Sequence, residues 1–214
     1  MARAQRATSE TYHHGDLRNA LLAAAVELIA ERGVAGLSLR EAARRVGVSH
    51  AAPYRHFPDR AALLLAVADD GFARLVEAAR AAMAGIDDPS ERLRAYGLEY
   101  IRFARRNPVH FRVMFSEELP KPEVDPGDSV PAATTALDLL FEAAGQAVGP
   151  DGREEDRPRA AVASWALTHG FATLVADGRL PEEIVGDDEA ADALARWVLL
   201  RLTLTETAGL PPSP

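Results

Sequence analysis

Apolar residues recur at helical spacing along almost the whole chain, and no run long enough for a strand alternates between apolar and polar residues. Four apolar residues near the N-terminus step by four, three and four positions, which places them on one helix face: Leu17, Leu21, Ala24 and Leu28. Gly33 follows as a stop signal. The pattern therefore predicts an all-α fold whose first helix covers about residues 16–32.

Capping residues and helix breakers divide the rest of the chain into further helices. Ser38 precedes Glu41 by three residues, a capping-box signature in which each side chain bonds a free backbone N–H at the helix start. Ser49 and Asp59 are predicted to cap the next two helices. The predicted spans are, in order, 39–46, 50–56, 60–84, 90–106, 109–116, 131–148, 158–177 and 188–207. The stretch 117–129 is rich in proline and acidic residues and is predicted to be a loop.

Charge is distributed unevenly along the chain. Residues 1–60 hold nine Arg against six Asp or Glu, a balance of +3, whereas the remainder carries -11 of the total of -8. This asymmetry favours contact between a polyanion and the N-terminal part alone. A solvated surface without a partner is the alternative that charge leaves open. We expect two domains, a basic one over 1–58 and a larger acidic one over 59–214.

Several classes of chemistry are excluded or disfavoured. The chain has no cysteine, so disulfides, thiolate metal sites and thiol nucleophiles are absent. His13 and His14 are adjacent and no further ligand follows at zinc-like spacing, so we expect no metal and no cofactor. The first apolar run, 20–30, is short and includes Glu27, which fits neither a signal peptide nor a membrane span. We therefore expect a cytoplasmic protein.

Two short predicted helices joined by a tight turn at Gly47 form a helix-turn-helix arrangement. In this motif the N-terminal end of the second helix enters the major groove of DNA. Small residues there, Ala51 and Ala52, allow close approach to the bases. Pro53 falls in the first turn of the predicted helix, where its missing N–H has no intrahelical partner in any case.

From Gly47 to Leu65 the sequence reads GVSHAAPYRHFPDRAALLL, and over about residues 12–70 the chain resembles the DNA-binding region of the TetR family of bacterial regulators. The resemblance implies four contacts to backbone phosphates: Ser38, Tyr54, His56 and Arg60. It implies four residues that read bases: Arg40, His50, Ala51 and Ala52. Ser49, the predicted cap at that helix end, completes the predicted DNA-binding set. Alternatively, Tyr54 is a surface aromatic residue and His56 a capping or packing residue, and Phe57 is expected in the core.

The C-terminal part carries a second resemblance. Trp165 and His169 lie four residues apart on one helix face, followed by Gly170, and this resembles the Trp-His-Gly signature of one C-terminal domain type in the same family. His169 is alternatively a core histidine. We expect a mainly apolar ligand pocket, and the candidate ligand-binding residues are Tyr100, Phe103, Phe111, Met114, Phe115, Phe141, Trp165 and His169.

The last predicted helix carries an apolar stripe that repeats at four, three and four positions: Ala193, Trp197, Leu200 and Leu204. The preceding long helix, 158–177, is apolar on nearly every side and must be covered on more than one face. The last two helices therefore predict a homodimer interface. The alternative is that the stripe packs within its own subunit.

Taken together, the sequence predicts a sequence-specific DNA-binding transcriptional regulator, a repressor released from double-stranded operator DNA by a small effector. The domain over 1–58 is expected to bind DNA, and the larger helical domain over 59–214 to bind the ligand and to form the dimer. The alternative is a helical enzyme or ligand-binding protein that uses His110 and His169 in an apolar pocket without binding DNA. No nucleophile motif, phosphate loop or metal-spaced cluster accompanies these histidines. A helical interaction module without DNA function is the third possibility, and the basic N-terminal part argues against it.

Overall fold

The computed structural model describes residues 14–119, 131–150 and 152–201 of the 214-residue chain. Within these ranges the chain contains nine α-helices, two short 3-10 helices and no strand, which confirms the all-α prediction. The α-helices are α1 (His14–Arg32), α2 (Leu39–Val46), α3 (Arg60–Met83), α4 (Pro89–Arg106), α5 (Pro108–Met114), α6 (Pro131–Ala147), α7 (Asp156–Ala176), α8 (Glu182–Val185) and α9 (Asp188–Leu199).

Local signals explain most of these boundaries. Asp59 caps α3 by accepting a hydrogen bond from the backbone N–H of Ala62 at 2.8 Å, as predicted. The end of α4 before Pro108 is also as predicted, because a residue preceding proline is disfavoured in helical conformation. The predicted loop 117–129 lies outside the described residues from 120 onward, as does the predicted helical stretch beyond Arg201.

The capping box predicted at the start of α2 is wrong in its contacts. Ser38 does occupy the N-cap position, with extended backbone, but its side chain makes no capping hydrogen bond. Glu41 instead accepts hydrogen bonds from Arg44 at 2.7 and 3.0 Å. A charge-assisted bond to a guanidinium one turn away is stronger than a bond to a neutral backbone N–H. The carboxylate of Glu41 therefore bonds to Arg44 and not to the backbone at the start of the helix.

The helix predicted over 50–56 is also wrong in its form. The chain turns through residues 49–52 and forms only a 3-10 helix, Pro53–Arg55, with Pro53 at its first position and Ala52 rather than Ser49 as its N-cap. Pro53 lacks the N–H that would close an α-helical bond to the Ser49 carbonyl, and that carbonyl accepts from the N–H of Ala52 at 3.0 Å instead. The proline therefore delays the helix start that Ser49 signals.

The chain divides into two compact units, Met1–Val67 and Ala68–Pro214, and the division falls inside α3. In the first unit α1 packs against α2 and against the 3-10 helix Val34–Gly36. Its core includes the predicted face residues Leu21, Ala24 and Leu28 and the predicted core residue Phe57, all buried.

In the second unit α4, α6 and α7 pack against one another, and α9 packs against α4. Gly97 permits the close approach of α4 to its neighbours, because a Cβ at that position would lie 2.9 Å from a methyl carbon of Leu199 and 3.3 Å from the hydroxyl of Thr168. No helix in the described ranges is long and apolar enough to cross a membrane.

Candidate DNA-binding surface and ligand cavity

Helix α2 presents two different faces. Leu39, Ala42 and Ala43 are buried, whereas Arg40 is exposed and bonds to no side chain in the described part of the chain. Gly47 ends the helix in left-handed conformation, with φ of 78°, and its N–H bonds back to the carbonyls of the last turn. The helix thus holds one free arginine on its outer face directly before a sharp turn.

The segment after Gly47 contains both exposed residues and buried residues that pack into the core. Ser49, His50 and Ala51 are exposed, and Ala52 is half-buried. Tyr54 is 48% exposed although it is a large aromatic residue. Between and after them, Pro53 and Phe57 are buried. The polar and small side chains of this segment are therefore available at the surface while the backbone beneath them is fixed by packing.

Two arginines of α2 are occupied by carboxylates rather than free. Arg45 donates to Glu31 at 2.6 Å and to Glu27 at 3.3 Å, which ties α2 to α1. The hydrogen bond from Arg44 lowers the pKa of Glu41 to about 2. These pairs leave Arg40 and Arg55 as the exposed arginines of this region for which the described residues supply no carboxylate partner.

Arg60 and His56 are more embedded than the other predicted DNA contacts. The half-buried guanidinium of Arg60 donates to the backbone carbonyls of Val34 at 2.6 Å and Leu37 at 3.1 Å. The half-buried ring of His56 lies 6.5 Å from that of Phe57. All nine predicted DNA-binding residues fall on α2, on the segment that follows it, or beside them, and none is fully buried.

The second unit contains a cavity of about 190 Å³ between α3, α4, α6 and α7. Its walls are aromatic rings together with alanine and leucine side chains of α3 and α6, and the aromatic members are Phe72, Tyr96, Tyr100, Phe115 and Trp165. The sequence predicts an apolar ligand pocket in this part of the chain, and this cavity is the candidate for it.

The predicted ligand-binding residues divide into four groups by their relation to this cavity. Tyr100, Phe115 and Trp165 line it. Phe103, Phe111 and Met114 are buried in the core with at most 5% exposure, and Phe141 is 38% exposed on α6. His169 stands beside the wall, its ring 4.5 Å from that of Phe115.

Two aromatic lining residues are absent from the predicted set, Phe72 and Tyr96. Both lie on helices whose apolar periodicity marks a buried face. Periodicity does not tell which buried residues border a void, so no signal in the sequence separates them from ordinary core residues.

His169 and Tyr100 form the polar pair of this region. The hydroxyl of Tyr100 and Nδ1 of His169 share a hydrogen bond of 2.9 Å. Burial raises the pKa of Tyr100 and lowers the pKa of His169, so both groups are neutral near pH 7. Neutral and mutually bonded, the pair adds polarity without charge.

His110 has a different setting from His169. Its Nε2 donates to Asp70 at 3.1 Å, which links α5 to α3, and Asp70 also accepts from Arg74 at 2.7 Å. Burial, the dominant cause, lowers the pKa of His110. No group of three or more His, Asp or Glu side chains in the described ranges is placed to hold a metal ion.

Large apolar side chains are exposed on α7 and α9. Val162 and Leu174 on α7 are 56% and 44% exposed, and Trp197 and Leu200 at the end of α9 are 56% and 59% exposed. The opposite face of α9, including Leu199, is buried. Of the predicted stripe, Leu204 lies outside the described residues, and the other members do not pack into the subunit's core.

Ion pairs hold α9 to α4. Arg102 donates to Asp192 at 2.9 Å through Nε and at 2.5 Å through Nη2, and Arg105 bonds to Asp188. The hydrogen bond from Arg102 lowers the pKa of Asp192. The exposed stripe of α9 is therefore presented on a helix whose orientation is fixed.

Comparison with family models gives two adjacent matches. Residues 21–67 match the model of bacterial regulatory proteins of the tetR family. Residues 93–202 match the model of the tetracyclin repressor-like C-terminal domain. The second match alone spans more than half of the chain and includes Trp165, His169 and Gly170.

Individual relatives agree with these models. The chain is 32% identical over 127 residues to the HTH-type transcriptional activator FasR of Mycolicibacterium smegmatis, a match that covers 58% of this chain and 57% of FasR. The chain therefore spans little more than half the length of that curated relative.

Two solved structures extend the comparison to the fold. A protein of unknown function from Rhodococcus sp. RHA1 is 36% identical, with a TM-score of 0.69 over 90% of this chain and 98% of that one. The TetR family regulator PfmR from Thermus thermophilus is 21% identical, with a TM-score of 0.61 over 87% and 98%. The latter likeness concerns the fold alone.

Proposed function

This chain belongs to the TetR family of bacterial transcriptional regulators, and from that premise we propose that it is a repressor that a small effector releases from operator DNA. The observation that carries the DNA-binding part is the segment after α2, in which His50, Ala51 and Tyr54 are exposed. The backbone of this segment is held by the buried side chains of Pro53 and Phe57. Because the family is one of DNA-binding regulators, this segment is the natural contact surface for the major groove.

The proposed contacts divide by chemistry. The base-reading residues are Arg40, His50, Ala51 and Ala52, and the phosphate contacts are Ser38, Tyr54, His56 and Arg60, with Ser49 at the entry of the segment. Exposure supports Arg40, His50 and Tyr54 directly. For Arg60 we propose two roles: its bonds to the carbonyls of Val34 and Leu37 brace the turn before α2, and it contributes positive charge toward the DNA backbone.

We propose that the protein acts as a homodimer through α7 and α9. The exposed fractions of Trp197 and Leu200 support this, because a monomer that leaves such side chains in water loses the free energy of burying them. A two-fold dimer also places two short recognition segments on successive half-sites, which gives more base contacts than one copy makes.

The apolar cavity is the proposed effector site. Tyr100, Phe115, Trp165 and His169 would contact the effector. Phe103, Phe111 and Met114 would shape the cavity from the core side. Phe141, an exposed residue of α6, is also proposed as an effector contact.

Release is proposed to act through α3. This helix holds Phe72 and Leu75 in the cavity wall and begins at Arg60 in the first unit. An effector with higher affinity for one arrangement of α3 shifts the population toward it. A changed spacing between the two recognition segments of a dimer then no longer fits both half-sites.

We further propose that the protein works in the cytoplasm, where operator DNA is, and that it has no catalytic activity. The relative FasR is named an activator, so the direction of regulation needs its own measurement. A reporter gene under the regulated promoter, with and without this protein, gives it: higher expression without the protein supports repression, and lower expression contradicts it.

The primary test is a mobility shift with DNA from upstream of the protein's own gene. We expect a shift that specific DNA competes and scrambled DNA does not. Ala51→Glu should abolish it, because a carboxylate enters the proposed groove contact. Ala30→Glu, on an exposed position of α1, is the matched control and should leave it intact. Absence of a specific shift, or equal loss in both variants, would refute the proposal.

A further inference from the structure

The wall of the cavity in the second unit is unusual in having no charge. Five of its members are aromatic and the others are alanine and leucine, so none of the lining residues in the described ranges is ionised. On the nearby helix α4 the buried Glu99 lies 3.3 Å from Arg106, and Arg94 lies 2.8 Å from Glu91. The half-buried Arg92 of the same helix does not line the cavity, and its Nε has no hydrogen-bond partner among the described residues. None of the side chains that line the cavity could therefore pair with an ion inside it.

The two phenol groups in the wall have partners inside the protein. Tyr96 donates to the backbone carbonyl of Ala136 at 3.1 Å, and Tyr100 shares its hydrogen bond with His169. Buried polar groups that already have hydrogen-bond partners in the protein do not need a hydrogen bond from a ligand. The cavity therefore favours apolar contact first. The polar groups in its described wall that could meet a single neutral acceptor or donor are the Tyr100 and His169 pair and the indole N–H of Trp165.

The volume limits the size of the occupant. An apolar cavity of about 150 Å³ is large enough to bind benzene. The cavity here measures about 190 Å³, which exceeds that by about the space of one small substituent. A single ring with a few further non-hydrogen atoms fills it.

From these three observations we infer that the cavity binds one uncharged, ring-sized apolar compound, such as a substituted benzene, and excludes the carboxylate of the same shape. The inference rests on the proposed function and names the chemical class of its effector. The physical basis is desolvation: apolar surface gains free energy on leaving water, whereas an unpaired carboxylate loses its hydration without compensation.

Toluene, methyl benzoate and benzoate are matched probes, because the last two differ little in shape and fully in charge. Isothermal titration of the full chain at neutral pH should show binding of toluene and methyl benzoate with dissociation constants below about 1 mM. Benzoate should bind at least about a hundredfold more weakly, since it is ionised at this pH.

A cavity-filling variant localises the binding. Ala133 lines the cavity, so Ala133→Leu places three additional carbon atoms in the space and should weaken both neutral probes by about tenfold or more. Ala132→Leu is the matched control: the same change one residue earlier on α6, at a half-buried position that does not line the cavity. It should leave both affinities unchanged.

Three results would overturn the inference: benzoate binding as tightly as methyl benzoate, no binding of either neutral probe, or equal affinities for the wild type and Ala133→Leu. The mobility shift is run on the same preparations. If a specific DNA shift is seen together with any of these results, the proposed ligand class is refuted and the proposed DNA-binding function is not. If no specific shift is seen, the proposed DNA-binding function is refuted, independently of the binding of the three probes.

Discussion

Arg60, the first residue of α3, places its Nη2 atom 2.6 Å from the carbonyl oxygen of Val34, in the 3-10 helix that precedes α2. A second hydrogen bond joins Nε to the carbonyl of Leu37. The guanidinium thus holds two carbonyl groups of the connection between α1 and α2. A residue that resembles a phosphate contact in the sequence thus also has a structural role within its own unit.

Arg60→Ala is therefore expected to lower both stability and DNA affinity. Loss of charge-assisted bonds to two carbonyls should reduce the free energy of unfolding by about 1–3 kcal/mol, measured by urea denaturation. If Arg60 also contacts a phosphate, the slope of log affinity against log salt should fall by about one. Arg40→Ala, at an exposed and unbonded position, is the control for stability and should leave the unfolding curve in place.

His50→Ala and Tyr54→Phe should separate base reading from phosphate contact. His50→Ala should change which base pairs are preferred at one operator position, by about 1–3 kcal/mol in discrimination, since a base-edge contact is lost. Tyr54→Phe removes only a hydroxyl and should weaken binding to all sequences alike. Selection from a randomised operator library measures both, and the reverse pattern would exchange the two roles.

Stability should depend on the ionisation of Glu41. Its pKa in the folded state is about 2, below the usual value of 4.5, because Arg44 donates hydrogen bonds to it. A depressed folded pKa contributes stability that is fully present above pH 4.5 and is lost as the pH falls toward 2. The difference in melting temperature between the wild type and Glu41→Gln should therefore shrink across this window.

Glu77→Gln supplies the baseline for this measurement, because Glu77 is exposed on α3 and has no ion pair among the described side chains. A constant difference between wild type and Glu41→Gln from neutral to acidic pH would contradict the pairing. Added salt should reduce the effect at neutral pH, since pairs near the surface are screened.

Trp197→Glu should convert a dimer into a monomer at micromolar concentration. Trp197 is 56% exposed on α9, and a carboxylate in its place would remove the apolar contact of the ring and would have to lose its hydration in the interface. Ile184→Glu tests the same change at a residue 54% exposed on α8, outside the proposed interface, and should leave the dimer intact. Sedimentation velocity measures both, and a dimer that survives Trp197→Glu would place the interface elsewhere.

Effector and operator should weaken each other's binding by the same factor, because the coupling free energy is reciprocal. Titration of the effector with and without operator DNA measures this, and equal affinities would mean that the cavity is not a switch. His169→Gln should alter the response while preserving DNA affinity without effector. Phe111→Ala is a poor probe, because Phe111 is 5% exposed and its loss should cost about 3–5 kcal/mol.

The sequence predicts the helices where caps and periodicity act together. Helix α2 covers the predicted residues 39–46 with Ser38 at its N-cap position, although the capping-box bonds do not form, and Asp59 caps α3 as expected. Pro53 shows the limit: the sequence predicts that it is tolerated in the first turn of a helix capped by Ser49, whereas the structure forms only a 3-10 helix that begins at Pro53. Helix α8 was not predicted, since its four residues are too few to establish a period.

The cavity shows the same limit for the site. Of the residues that the sequence predicts for the ligand site, Tyr100 on α4, Phe115 after α5 and Trp165 on α7 line the cavity. By residue type, Phe103 and Phe111 are equally expected to line the cavity, but both are buried in the core. Which aromatic ring borders a void depends on how helices cross, and that depends on residues such as Gly97 that carry no side chain.

Pro53 and Phe57 are buried within a segment whose neighbours His50, Ala51 and Tyr54 are exposed. A proline ring fixes its own φ, so the segment has little conformational entropy left to lose when it meets a partner. The residues that hold the backbone are also different from those that face outward. Substitution of the outward residues should therefore leave the scaffold unchanged, which allows operator preference to diverge during evolution without a loss of folding.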